Sequence, residues 1–252
     1  MNYYSRKDKL KAQAEKHNEE MIEKYGDEIK DAKVRLYNVF DSRTASENQN
    51  AKKPNITLEI NDTVSEAFNH ENACILDFAS YRNPGGRFLD GSNAQEEALC
   101  HASYLYNVLS NQIKFYSYNN EHKNKGLYGN RLLYCKDIRF FKGKDTKQYD
   151  VIVCAAPNWS VAKKYNNFTI EENDKALKER MQLIKLAAED NNVKTLILGA
   201  FGCGVFAQDP NTVSNLFLDV FSTSTIENVV FALLKDINYE AFKKNFEKRG
   251  LI

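Results

Sequence analysis

The stretch ACILDFASYRNPGGRFLDGSNAQEEALC, residues 73–100, carries the fold and the chemistry together. Its first eight residues form a nearly continuous apolar run of the kind that lies buried on both faces of a sheet. A loop from Asn83 to Asn93 follows, rich in turn residues and carrying the adjacent glycines Gly85 and Gly86. Then QEEALCHASYLYNVL sets Ala98, Leu99, Ala102, Leu105, Tyr106 and Leu109 at helical spacing, which predicts one amphipathic helix with Glu96 and Glu97 in its first turn.

Strand, loop and helix recur outward from that stretch. Before it, ITLEI alternates as a strand, and DTVSEAFNH starts a helix with Asp62 as N-cap. After it come VIVCAAP as a buried strand, EENDKALKERMQLIKLAAED as a strong helix and TLILGA as another buried strand. A helix capped by Asp209 with Pro210 at its first position follows, then the strand NVVFALL and a terminal helix in YEAFKKNFEKR. The middle, Ser110 to Asp150, shows only two short candidate strands, RLLYC and DIRFF. Buried-type strands alternating with helices predict an α/β fold with a mixed, largely parallel sheet covered on both faces.

Ahead of this pattern, Ser5 to about Lys33 is rich in Lys, Glu and Ala and reads as an exposed helix. VRLYNVF reads as a strand and DSRTASENQNAKKPN as a polar connection ending near Pro54. The expected division is an N-terminal helical accessory segment over 1–53 and an α/β domain over 54–252.

Composition narrows the function. With 42% hydrophobic and 27% charged residues, the 252-residue chain is in the globular range. Thirty-five basic residues against 34 acidic ones give no general field for nucleic acid or an anionic membrane, so an anionic ligand must be gripped locally. No apolar run approaches the roughly 18–20 residues that cross a bilayer, and the N-terminus has no apolar leader, so the expected location is cytoplasmic. The five cysteines lack CxxC spacing and read as reduced core residues, and the four scattered histidines give no zinc pattern. No metal, cofactor or oligomer is called for.

Two loops short of side chains follow buried strands, NPGGRFLDGSN and GAFGCGVF, and in open α/β sheets such loops line the ligand crevice. Glycine lets backbone N–H groups approach phosphate oxygens. Neither GxxxxGK[ST] nor a well-placed GxGxxG occurs, which disfavours nucleoside triphosphatases and dehydrogenases. Adjacent helical residues point about 100° apart, so Glu96 and Glu97 cannot flank one bond as an opposed glycosidase pair. One can hold a sugar hydroxyl while the other serves as general acid; neighbouring charge raises a carboxyl pKa and the helix N-terminus lowers it. Dipole complementation alone is the structural alternative for such a doublet.

LDFASYRNPGGRFLDGSNAQEEALC resembles the signature of bacterial-type poly(ADP-ribose) glycohydrolases, and GAFGCGVFAQDP and AAPNW resemble later segments of that family in the same order. The resemblance implies a macrodomain-like three-layer α/β/α fold and exo-type hydrolysis of the ribose–ribose O-glycosidic bonds of poly(ADP-ribose) on modified proteins, releasing ADP-ribose without a cofactor. It implies Glu97 as the acid and then base, and Glu96 as a ribose-hydroxyl ligand beside Gln95. Gly85 and Gly86, with the backbone of Gly202, Cys203, Gly204 and Val205, would follow the diphosphate, Phe206 would stack on adenine, and Asn83 would help place the distal ribose. The family loop has a third glycine where this chain has Arg87, so Arg87 is expected to contact phosphate, to project across the mouth, or to face solvent. A non-catalytic ADP-ribose reader and a hydrolase of another ADP-ribose linkage are the competing expectations. Cys203 reads as packing, Trp159 as partly buried near the site, His101 as packed or facing water, and Lys123 and Lys125 as solvated loop charges.

Overall fold

The computed structural model describes residues 5–38, 51–164 and 168–252. Among these, the strands β1 (Val34–Asn38), β2 (Asn55–Ile60), β3 (Cys74–Phe78), β4 (Arg131–Lys142), β5 (Asp145–Cys154), β6 (Thr195–Leu198) and β7 (Asn228–Leu233) form one sheet in the order β1-β4-β5-β3-β6-β7-β2. The pairs β1–β4 and β4–β5 are antiparallel, and every other pair is parallel. The mixed, largely parallel sheet expected from the buried strands is therefore present.

Side-chain alternation along the strands feeds two cores, one on each face. Cys74 and Leu76 of β3 pack toward α7 (Ile170–Asp190), α8 (Pro210–Val220) and α9 (Ile237–Lys248), with Leu177, Met181, Phe217, Phe242 and Phe246 fully buried there. Ile75 faces the opposite layer, which holds α1 (Arg6–Lys30), α2 (Thr63–Ala67), α3 (Gln95–His101), α4 (Leu105–Ser110) and α5 (Ile113–Glu121). A short helix, α6 (Trp159–Lys164), follows β5. The expected caps are in place: Asp62 accepts from the Ser65 N–H at 2.8 Å, and Asp209 accepts from the Thr212 N–H at 2.8 Å with Pro210 opening the helix.

Four elements differ from expectation. The single helix over residues 95–109 is two, because Ser103 leaves the helix to bridge Phe140 of β4 while the Phe141 N–H donates to the Ala102 carbonyl at 2.7 Å. Ser103 Oγ donates to the Leu99 carbonyl at 2.7 Å and accepts from the Leu105 N–H at 3.0 Å, closing one helix and opening the next; Ala98 is consequently exposed. The two candidate strands near residues 131–141 are one strand, carried through a register shift between Cys135 and Ile138 in which Asp137 has φ +55°. The illegible middle holds α5, whose polar sequence hides a buried face of Phe115, Tyr116 and Asn119.

The N-terminal helix is not merely exposed. Its Ala14, Met21 and Ile29 are buried, and β1 after it forms an edge of the main sheet. Arg139 pairs with Glu28 through two bonds of 3.0 and 3.1 Å, and Asn107 donates to Asn18 at 2.6 Å, so α1 lies locked along α4 and the β4 edge. The end of the expected strand VRLYNVF and most of the polar connection after it lie outside the described residues.

Candidate active site

Because β5, β3 and β6 are neighbours running in parallel, the segments after their carboxyl ends converge on one rim. The sequence-predicted loops, residues 79–94 and 199–209, thus meet there with the segment AAPNW.

The start of α3 is fastened to β3 by Gln95. Its Oε1 accepts from the Phe78 N–H at 2.8 Å and its Nε2 donates to the Leu76 carbonyl at 2.9 Å, continuing the strand's backbone pattern through a side chain. With its carboxamide committed this way, Gln95 acts by holding the two residues after it in place.

Glu96 and Glu97 are both buried, at 4% and 5% exposure. Glu96 Oε2 accepts from the Ser80 N–H at 2.7 Å, while its Oε1 is buried with no partner. Glu97 Oε2 accepts from the Ala94 N–H at 2.9 Å, which is half of a capping box, and its Oε1 accepts from the Arg87 N–H at 2.8 Å. Glu97 therefore ties the glycine loop to the helix start.

Burial, reinforced by the nearby Asp77, pushes the Glu96 carboxyl well above its ordinary range, against the lowering effect of the Ser80 N–H. Asp77, in the middle of β3, is fully buried with both oxygens unpartnered, and burial together with Glu97 raises it well above normal. Both carboxyls are thereby held toward their protonated forms. Asp77 is the residue that sequence reasoning passed over. Its signal was a single acid inside an otherwise apolar strand, ILDF.

The glycines of the first loop have identifiable causes. Gly86 has φ +63°, and a Cβ there would sit 2.5 Å from Glu97 Oε1 and 2.7 Å from Glu96 Oε2. Gly85 has φ +62°, and its Cβ would meet the Tyr106 ring at 2.7 Å. Any side chain would displace the carboxylates or the ring. Beyond them, Phe88 is buried among Ala14 of α1, Cys100 and His101, whose ring lies 4.7 Å from it.

Arg87 takes φ −117°, so this position does not demand glycine. Its guanidinium is largely exposed and pairs with Asp90 at 3.1 Å. Asn83 is also exposed, its carbonyl accepting the Gly86 N–H at 3.1 Å.

The second loop is more open. Gly202 has φ +77° and is hemmed in by Ala156 and Gln208, but nothing lies within 4 Å of a Cβ at Gly204, and Val205 is 85% exposed. Burial pushes the Cys203 thiol up to about 12, so it is a poor nucleophile at neutral pH. The Phe206 ring stands edge-on to Tyr128 at 6.0 Å, and its carbonyl accepts from Ser160 beside the partly buried Trp159. Burial and His17 lower the His101 imidazole, whose Nε2 has no partner. A cavity of about 370 Å³ opens next to Gln95, walled by Asn61, Phe78, Ala200, Leu233 and Asp236. No group of three or more potential metal ligands occurs among the described residues.

The family profile described as "Microbial-type PARG, catalytic domain" matches residues 4–143. None of the curated proteins matches the chain. Among solved structures, the chain is similar to the poly(ADP-ribose) glycohydrolase (PARG) of Thermomonospora curvata, with 25% identity, TM-score 0.85, and coverage of 94% of this chain and 99% of that one. The same enzyme bound to the inhibitor ADP-HPD gives a TM-score of 0.83 at 25% identity over the same shares. Deinococcus radiodurans PARG in complex with ADP-ribose is 26% identical, with TM-score 0.75 over 86% of this chain and 95% of that one. The profile spans more than half of the sequence and takes in the glycine loop and both glutamates, and the chain belongs to the microbial-type PARG catalytic-domain family, the glycosidases that act on poly(ADP-ribose).

Proposed function

We propose that Glu97 is the acid and base of this glycohydrolase and that Glu96 holds a ribose hydroxyl. The observation that carries the division of labour is the unpartnered, buried Oε1 of Glu96, an unmet hydrogen-bonding site beside Glu97, whose two oxygens already accept from backbone N–H groups. A ribose hydroxyl bound to Glu96 would meet the need that its burial creates. Glu97 in its acid form would then give its proton to the leaving ribose oxygen as the glycosidic C–O bond breaks, and regain one from the water that attacks the anomeric carbon. Positioning and one proton supply the catalysis.

The adenine end of the terminal unit is best seated in the 370 Å³ cavity, where Phe78 and Leu233 offer apolar walls and Asn61 and Asp236 offer polar edges. Phe206 is not among the walls of that cavity, and its ring stands edge-on to Tyr128 at 6.0 Å. D. radiodurans PARG was solved with ADP-ribose, which supports ADP-ribose as the ligand of this rim.

The test compares Glu97→Gln and Glu96→Gln with wild type for release of free ADP-ribose from polymer on a carrier protein, alongside calorimetric affinity for ADP-ribose. Glu97→Gln should lose on the order of 10²–10⁴ in kcat while keeping its affinity. Glu96→Gln should weaken binding. Release that survives Glu97→Gln would reassign the acid, with Glu96 the next candidate.

A further inference from the structure

Poly(ADP-ribose) carries a diphosphate and an adenine in every unit. A surface that holds the chain beyond its terminal unit therefore needs cations beside flat rings, the combination by which proteins hold single-stranded nucleic acids. The net charge of this protein is only +1, so such a surface must be a local one.

One such surface leads away from the active-site rim. Tyr81 directly follows Ser80, whose N–H holds Glu96. The Tyr81 ring, itself buried, backs the half-buried Tyr128 at 4.2 Å and 8°, and Tyr128 in turn faces Phe206 of the second loop at 6.0 Å. In the other direction the Tyr81 hydroxyl donates to the His122 carbonyl at 3.0 Å. The His122 ring stacks on Tyr118 at 3.8 Å and 9°, and the Arg131 guanidinium lies 4.1 Å from the Tyr118 ring centre. Tyr118 is 46% exposed at the far end.

Along this row stand the exposed Lys123, Lys125 and Lys163, none of which has an ion-pair partner among the described residues. Glu121 is the one carboxylate of α5 and the turn after it. The turn that projects Lys125 is held in left-handed backbone, with φ +41° at Asn124, +47° at Lys125 and +107° at Gly126, followed by +63° at Tyr128. Such backbone is unfavourable for residues bearing a Cβ and persists only when the surroundings enforce it. Here they do: the Asn158 N–H donates to the Gly126 carbonyl at 2.8 Å, and a Cβ at Gly126 would lie 3.0 Å from the Ala162 nitrogen. The same contact sets the backbone of α6, which carries Lys163, against the turn.

We propose that this row of rings and lysines binds the body of the polymer next to the unit being cleaved, with the lysines on its diphosphates and the Tyr118–His122 stack offering a face to adenine. The proposal rests on poly(ADP-ribose) being the substrate. It gives Lys123 and Lys125 a role where their sequence context alone suggests solvated charges.

The experiment uses the full chain with Glu97→Gln, so that polymer stays intact. Affinities for length-fractionated poly(ADP-ribose) and for free ADP-ribose are measured across a salt series, with and without Lys123→Gln, Lys125→Asn and Lys163→Gln together. Asparagine is chosen at Lys125 because it tolerates left-handed backbone. The expected result is roughly tenfold weaker polymer binding and a salt dependence shallower by about 2 in log–log slope, near 0.7 per lysine lost, with ADP-ribose affinity unchanged. Tyr118→Ala should weaken polymer binding alone as well. Polymer affinity and slope that do not move, or an equal fall for free ADP-ribose, would overturn the proposal. Failure of the otherwise wild-type protein to release ADP-ribose from polymer is a separate outcome: it would count against the glycosidase mechanism, while the binding comparison still decides the polymer surface.

Discussion

The two glycine-bearing loops on the rim are built in opposite ways. The loop after β3 is enclosed: Gly85 lies against the Tyr106 ring, Gly86 against both glutamates, and Phe88 is buried against α1. The loop after β6 is anchored by Gly202, by the Phe206 carbonyl, which accepts from the Ser160 N–H at 3.1 Å, and by Gln208, whose side chain donates to the Pro157 carbonyl at 2.8 Å; Gly204 and Val205 stand in the open. The same residue type therefore serves two purposes. In the first loop glycine makes room for two buried carboxyl groups, and in the second it leaves backbone open to solvent.

A methyl group added to each loop would separate these roles. Gly86→Ala should lower kcat by about 10²-fold, because its Cβ would fall within 2.7 Å of both glutamates and displacements near 1 Å cost about that much in rate. Gly204→Ala meets nothing within 4 Å and should change kcat and KM by less than about threefold unless a bound diphosphate lies directly on it. Steady-state kinetics on polymer decide the matter. Equal losses at both positions would mean that enclosure of the two glutamates does not set the first loop apart.

The ground beneath the loops differs too. Under the second loop Phe78 and Phe201 meet edge-on at 6.0 Å, whereas under the first lies Asp77 with no hydrogen-bond partner. Its carboxyl is raised in the folded state by burial first and Glu97 second. The folded protein thus holds a proton that the unfolded chain has lost above about pH 3.9. The stability linked to that proton is fully present below the unfolded value and is lost as pH rises through the folded one. Asparagine cannot titrate. The melting temperature of Asp77→Asn should therefore gain on wild type between pH 5 and pH 9, at about 2–4 °C for each kcal/mol of linkage in a chain of this size. A constant difference across that range would show that Asp77 is not held neutral.

How much of this was legible follows the range of the interactions. Buried strands, caps and the Gln-Glu-Glu start of α3 are written in local pattern, and Asp62, Asp209 and the run ILDF were readable for that reason. The break at Ser103 was not, since it depends on a bridge to Phe140, 37 positions on, that overrides helical spacing. The polar surface of α5 hid its buried face in the same way. At the site, the glutamates stood out by type and position, but the role of Gln95 as a brace became visible only with β3 beside it, and the docking of α1 behind the loop depends on contacts such as Ala14 with Phe88. Asp77 was visible as an anomaly but has meaning only once its lack of partners is known.

Arg87 lies on the enclosed loop yet behaves as a residue of the open one, which makes it the smallest expected effect. It stands where the family carries a third glycine, but with φ −117° the backbone is ordinary for any side chain. What the loop takes from this position is its N–H, donated to Glu97 Oε1 at 2.8 Å, and glycine supplies the same group. The guanidinium reaches only Asp90, in an exposed pair of the kind that adds little to stability. Arg87→Gly should therefore leave kcat, KM and melting temperature close to wild type, within about twofold in the rates. A rise in KM confined to polymer would instead place the guanidinium on a phosphate of the bound chain, and would extend ligand contact from the open loop to the enclosed one.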